Sequence, residues 1–486
     1  MERLPTNIAW SVIKNATSQV GGRIFLSLAR FGIAVLIVRT AGVERFGEFS
    51  LILSMLLIAE WLVDFGSTDI AVRDISRAPD RKNVILNAVS ALKGIQTLAV
   101  VFLLLAFLLL MRYPTHIFRS GAIATLDVVF FAGILIYRIV FRTRMTMEKD
   151  VLSELVGVLA VIPLIWIACV RGAGLEVLVA CYVLSRVIFF SMTLFFGGRH
   201  YIPKPLQATR LDVQKTAWAA LPIGIGGLLA GLYEAIDPIL ISQFANTTAV
   251  GHFSVASRFL FPIVIVIQSI ANTVYPLLSR YWNQDEDRFR ATLHGAIKVA
   301  LLIAAGLFCF IFTSAEFLMS LLGDEMIESA NILRILSWTI ITRALAAVLT
   351  PLFIISGYQH RTIWLIAVAV LAKIGLLSWL VPGYGAAGAA ISYVISELVF
   401  GVIPIFLLTR YLIGFKMNWS VLIRIAISVT LSLAICSLTN LQGTLTSGIL
   451  ATLIFTVAVI VFRTINRAEI QFFLAGTRQR FDRSDK

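Results

Sequence analysis

Apolar runs long enough to cross a bilayer as helices recur from one end of this chain to the other, and that pattern restricts the fold to one class. The runs lie near Thr17–Val38, Phe49–Phe65, Val84–Met111, Ala122–Val140, Leu152–Val170, Val177–Phe196 and Ala217–Ile241. They continue at Phe253–Leu278, Ala296–Phe312, Ile332–Ile355, Ile363–Val381, Ala387–Leu408, Val421–Leu438 and Ser447–Phe462, about fourteen in all. Hydrocarbon offers the backbone no hydrogen-bond partners, so such a chain folds as an all-α polytopic membrane protein. With 59% hydrophobic and 14% charged residues, it has too few charges for a soluble surface.

The net charge of +14 does not indicate nucleic-acid binding, because the basic residues sit between apolar runs rather than on one soluble face. Alternate loops hold Arg73, Arg77, Arg81 and Lys82; Arg142, Arg144 and Lys149; Arg199, Lys204, Arg210 and Lys215; Arg280, Arg288 and Arg290; Arg361; then Arg410 and Lys416. The opposite loops carry Arg45, Arg112, Arg119 and Arg171, and the later ones have neither Lys nor Arg. This bias predicts that both termini are cytoplasmic in a cell (inner or plasma) membrane, including the tail with Arg463, Arg467, Arg478, Arg480, Arg483 and Lys486. The N-terminal MERLPTNIAWSVIKN lacks the pattern of a cleaved signal peptide. Cys169, Cys181, Cys309 and Cys436 lie in apolar runs without metal-ligand spacing and read as small buried hydrophobes. No metal or cofactor site is expected, and without a P-loop there is no basis for direct ATP drive.

The most informative stretch is 221–258. Its first apolar run contains Glu234 and Asp237 with Pro222 and Pro238 around them, and a second begins at Gly251-His252-Phe253-Ser254. The prolines are candidate hinges. Gly47-Glu48-Phe49-Ser50 opens an earlier run in the same way, and in that register Arg30 falls on Glu234. This repeat points to two equivalent halves, a known plan for membrane transporters. Gly227 and Gly231 form a small-xxx-small pattern for helix packing. Gly383-Tyr-Gly-Ala-Ala-Gly388 spells a dinucleotide fingerprint, but between two membrane runs it reads as a tight turn.

Several stretches together resemble the polysaccharide-transport (oligosaccharide flippase, O-antigen type) branch of the multidrug/oligosaccharidyl-lipid/polysaccharide exporter superfamily. They are Thr40-Ala-Gly-Val-Glu-Arg-Phe-Gly-Glu-Phe-Ser50, Val72-Arg-Asp-Ile-Ser-Arg77, Phe141-Arg-Thr-Arg-Met-Thr-Met-Glu148, Ala249-Val-Gly-His-Phe-Ser-Val-Ala256, Tyr275-Pro-Leu-Leu-Ser279 and Tyr384-Gly-Ala-Ala-Gly-Ala-Ala-Ile391. One departure is Val140-Phe141-Arg142, where the family pattern has a Phe-Gln-Gly/Ala type sequence. The resemblance implies two pseudo-symmetric six-helix lobes, 1–210 and 211–415, around a central cavity, followed by two further helices and a basic tail in 416–486. It also implies alternating access, with polyprenyl-pyrophosphate-linked oligosaccharide (undecaprenyl type) as substrate and glycan assembly proteins as partners.

The intramembrane charges are the candidate site. A pyrophosphate crossing a low-dielectric slab needs a hydrated cationic path, and arginine suits it because its planar fork binds phosphate oxygens and keeps its charge. The expected substrate-binding residues are Arg30, Arg258, Arg343 and Arg138, although Arg138, like Arg23 and Lys298, also reads as a snorkelling residue. Arg186 is expected to partner an acid on a neighbouring helix. Glu60, Asp64, Glu234 and Asp237 are read in two ways, as sites taking up a coupling H+ or Na+ or as neutralising partners of the cations. Two other functions stay open: a multidrug/cation antiporter, which wants an acid-lined cavity, and a membrane-embedded sugar polymerase or ligase, which wants a large outer loop. The first of these disagrees with the cationic excess inside the spans, and the second with the short loop 314–328.

Overall fold

The computed structural model describes residues 6–414, 418–439 and 441–464, and every regular element among them is helical. The basic tail beyond 464 and Lys416 lie outside the described residues. In chain order the helices are α1 (Thr6–Asp64), α2 (Ser67–Arg77), α3 (Lys82–Leu110), α4 (Thr115–Thr143), α5 (Met147–Val170), α6 (Leu175–Gly197), α7 (Arg210–Phe244) and α8 (Thr247–Arg258). Then follow α9 (Phe261–Tyr281), α10 (Glu286–Thr313), α11 (Ala315–Ser320), α12 (Ala330–Ile355), α13 (Gln359–Ile395), α14 (Ile403–Ile413), α15 (Trp419–Ser437) and α16 (Leu445–Val461). A π-helical segment, Ser396–Val402, joins α13 to α14.

Among the described residues, eleven helical stretches are long and apolar enough to cross a membrane. Two hold a pair of expected spans each: α1 changes direction at Gly42 (φ 83°) and α13 at Gly385 (φ 53°). Both are positive-φ positions that glycine reaches without a Cβ clash. The apolar α16, at 17 residues, is shorter than the others. Large apolar side chains such as Phe102, Leu110, Trp364 and Trp379 are largely exposed, an arrangement that suits lipid and not water.

The chain forms two compact units, one of Met1–Pro262 with Ile363–Ser396 and the other of Ile263–Thr362 with Glu397–Lys486. In the first, the amphipathic α2 buries Ile70, Ala71 and Ile75 and turns Arg73 and Arg77 outward. Ala71 and Ile75 pack with Leu86, Val89, Ile136, Ile139, Val140 and Tyr201 into one apolar core. Arg142, in the stretch Val140-Phe141-Arg142 that departs from the family pattern, reaches Asp69 at 2.7 Å and ties α4 to α2.

The repeated Gly-x-Phe-Ser motifs meet each other. A Cβ added at Gly47 would lie 1.9 Å from the Thr247 carbonyl oxygen and 2.8 Å from the Gly251 nitrogen. Conversely, a Cβ at Gly251 would lie 2.2 Å from the Val43 carbonyl oxygen. Each glycine thus faces the residue four before its counterpart, the reciprocity expected where two like surfaces pack. Close approach through small residues is the usual means of joining helices in lipid, where no hydrophobic force draws them together. Gly227 and Gly231 act alike, since a Cβ there would meet the Trp61 ring at 2.8 and 2.1 Å.

Gly47→Ala and Gly251→Ala should therefore each lower stability by about 1–3 kcal/mol, the usual range for overpacking. Gly21→Ala, where a Cβ meets nothing within 4 Å, should cost nothing measurable. Thermal unfolding of the purified variants in detergent checks the contrast.

Candidate functional site

Most charges inside the spans are neutralised within their own unit. Arg186 on α6 donates from Nε to Asp127 Oδ1 on α4 at 2.9 Å and from Nη2 to Glu60 on α1, with its guanidinium 5.1 Å over the Phe131 ring. Lys93 on α3, 1% exposed, lies 3.1 Å from Asp64 Oδ1 at the end of α1, and also donates to Ser67 Oγ at 3.0 Å. Thr68 donates to the same carboxylate. Arg138 on α4 pairs with Asp150 on α5 at 3.0 Å.

A second cluster joins α7 to α13. Lys373 Nζ, fully buried, donates to Asp237 Oδ2 and to the Tyr233 carbonyl oxygen, each at 2.6 Å. The ammonium also sits 4.4 Å from the Tyr233 ring centre and 4.0 Å from that of Tyr393. Carboxylate, carbonyl and two ring faces form a cage for one positive charge. Asp237 is 1% exposed, whereas Glu234, three residues earlier, is exposed and has no ion-pair partner among the described residues. The two acids do not form one site in this structure. α7 runs unbroken through both Pro222, which is exposed, and Pro238, which is buried.

In the second unit Arg343 on α12 lies 3.1 Å from Glu397 in the π-helical segment. π segments inside α-helices occur often at functional sites.

Arg30 and Arg258 differ from all these. Arg30 donates to Glu154 on α5 at 2.5 Å, yet its side chain is 47% exposed in the middle of an apolar span. Arg258 stacks 5.2 Å over the Phe46 ring, and among the described residues no carboxylate pairs with it. The next residues along the chain, Phe31 and Phe259, meet edge to face at 5.0 Å, so α1 packs against the end of α8 beside both arginines. Arg258 also ends a helix: Phe259 and Leu260 form a turn before α9, which begins Phe261-Pro262. Within the apolar stretch Thr247–Tyr281 a two-residue turn ahead of Pro262 thus separates α8 from α9, and Arg258 lies in the last turn of α8, where a helix C-terminus favours a cation. Broken helices are where membrane transporters build their binding sites.

Asp127, Glu154 and Asp150 were not among the expected site residues. For Asp127 and Glu154 the signal was an ionisable group inside an apolar span. Lys373 reads as a span cation, but its partner Asp237 is 136 positions away, which no local pattern reveals. Pro262 was the available sign of the break after Arg258.

The helical architecture and the paired intramembrane charges are those of a polytopic membrane protein. The family model described as polysaccharide biosynthesis protein matches residues 12–282, more than half of the chain, so the chain belongs to that family. A second model, MatE, matches residues 222–379. A curated relative, the putative O-antigen transporter of Escherichia coli (strain K12), is 23% identical over 308 residues, 61% of this chain and 69% of that protein. The structure of lipid II flippase MurJ in an inward closed conformation superposes with a TM-score of 0.77 at 14% identity, over 94% of this chain and 99% of that one. An inward-facing multidrug resistance MATE family transporter gives 0.64 at 15% identity, over 79% and 94%. These relatives are transporters and flippases rather than enzymes, as the sequence leads one to expect.

Asp237→Asn or Lys373→Met alone strands a buried charge or its cage and should cost about 3–5 kcal/mol. The double variant should recover much of that loss. A double-mutant cycle on thermal unfolding measures the coupling, and additive losses would show that the two residues act independently.

Proposed function

We propose that the protein flips polyprenyl-pyrophosphate-linked oligosaccharide, of undecaprenyl type, from the cytoplasmic to the outer leaflet by alternating access. The observation that supports this reading is the state of Arg258, an arginine at a helix break inside an apolar span with no carboxylate partner among the described residues. Holding a cation inside an apolar span without an acid is costly, and a function that brings it an anion explains the cost. A pyrophosphate is such an anion. Arg30, half-exposed and beside Arg258 through the Phe31–Phe259 contact, is the second cationic ligand. In this reading Arg30 exchanges Glu154 for phosphate oxygens when the substrate enters. Arg343, paired with Glu397, plays the same part in the second unit, whereas Arg138 is held by Asp150 and orients α4 and α5.

The proposal includes two pseudo-symmetric lobes, 1–210 and 211–415, with both termini cytoplasmic. The reciprocal Gly47–Gly251 contact and the loop charges support it. Transport is coupled to H+ or Na+, with exposed Glu234 as the candidate acid and Glu60 and Asp64 as structural partners of Arg186 and Lys93. Pro222 and Pro238 would let α7 bend as access alternates. Glycan assembly proteins supply and consume the substrate. The multidrug antiporter reading is disfavoured because nearly every described intramembrane acid already holds a cation.

Complementation of a host lacking the gene tests the proposal. Arg258→Ala at normal membrane abundance should leave lipid-linked sugar facing the cytoplasm and cut surface glycan at least tenfold, with Arg258→Lys intermediate. Arg186→Ala should instead lower abundance. Normal surface glycan with Arg258→Ala, or altered resistance to cationic drugs in its place, would refute the flippase reading.

A further inference from the structure

The second unit holds a separate cationic crevice. α10, α15 and α16 pack together, and a cavity of about 280 Å³ opens where α10 and α15 begin and α16 ends. Its polar lining includes His294 and Lys298 from α10, Arg424 from α15 and Arg463 just past α16, together with Asn418 and Ser420. Among the described residues that line it none is acidic. The same cavity is lined by Ile297, Leu301, Val421 and Leu422. One arginine already braces the wall: Arg424 Nη1 donates to the Arg463 carbonyl oxygen at 3.1 Å.

We propose that this crevice binds the phosphate headgroup of an anionic membrane phospholipid. Three cationic residues and a histidine line a pocket too small for a sugar chain but able to admit a phosphate group. The apolar wall beside them suits the first carbons of an acyl chain. The neighbouring faces of α15 and α16 are exposed and apolar, with Ile423, Ile427, Ile460 and Val461 outward, so the chains would continue along lipid-facing surface. Position also fits. Loop charge places the starts of α10 and α15 and the end of α16 in the cytoplasmic leaflet, and basic pockets between membrane helices on that side are characteristic sites for anionic lipid. The lipid would join the last two helices to α10 by charge where no loop joins them. This binding does not use Arg30 or Arg258, so it stands or falls apart from the transport proposal.

The test uses the purified full-length protein, delipidated in detergent, with binding read by native mass spectrometry and thermal unfolding. Cardiolipin and phosphatidylglycerol should bind and raise the melting temperature, and phosphatidylcholine should do neither. Lys298→Gln and Arg424→Gln should each weaken anionic-lipid binding about fivefold, as loss of one cation near a membrane surface does. Because Arg424 also supports the end of α16, Lys298→Gln is the cleaner variant. Equal binding by wild type and Lys298→Gln, or equal response to phosphatidylcholine, would overturn the proposal. So would binding of polyprenyl pyrophosphate in place of both phospholipids, which would make the crevice a substrate site.

Discussion

A charge inside a hydrocarbon slab must be neutralised or used, and that requirement orders the whole structure. Ten or more kcal/mol separate a bare arginine on an isolated helix from one in water in the steeper estimates, and even the mildest give about 3. The chain answers with partners drawn from different helices. α1, α4 and α6 are joined through Glu60, Asp127 and Arg186, α1 and α3 through Asp64 and Lys93, and α7 and α13 through Asp237 and Lys373. In lipid there is no hydrophobic drive to bring helices together, so these pairs also specify which helix lies beside which. Against that background Arg258, which no carboxylate pairs with among the described residues, is informative. Arg258 rests on an aromatic face at a helix end, two weak and partial compensations for its charge.

Close packing supplies the second organising element. Where the two Gly-x-Phe-Ser motifs cross, carbonyl oxygens occupy the space of a missing Cβ, and Trp61 fills the notch over Gly227 and Gly231. Both contacts involve α1, which also carries Arg30, Glu60 and Asp64. One long helix, bent at Gly42, thus connects the packing motifs to the paired charges.

Much of the fold was legible because the membrane imposes simple rules. Span length and small-residue spacing each have one dominant cause, and the apolar runs recur as helices, eleven stretches of them long and apolar enough to cross a membrane among the described residues. The glycine repeat was legible too, although its two copies touching could be known only in three dimensions. The candidate site was less legible. Asp64, Glu60 and Asp237 were visible as acids, but Lys93, Arg186 and Lys373 could not be matched to them from spacing, because partners on different helices leave no periodic trace. That Arg258 ends α8 was legible only through Pro262, four residues on. Glu234 and Asp237 looked equivalent at i and i+3, yet the neighbour Lys373 claims only one of them.

The central claim is that the chain carries an anionic headgroup past Arg258. Reconstitution into liposomes with a fluorescent polyprenyl-linked sugar, read by a quencher that reaches only one leaflet, measures this directly. The account predicts flipping of the pyrophosphate-linked lipid by the wild type, little flipping of a neutral-headgroup analogue, and loss of the difference in Arg258→Ala. Equal flipping of both lipids, or full discrimination by Arg258→Ala, would contradict it.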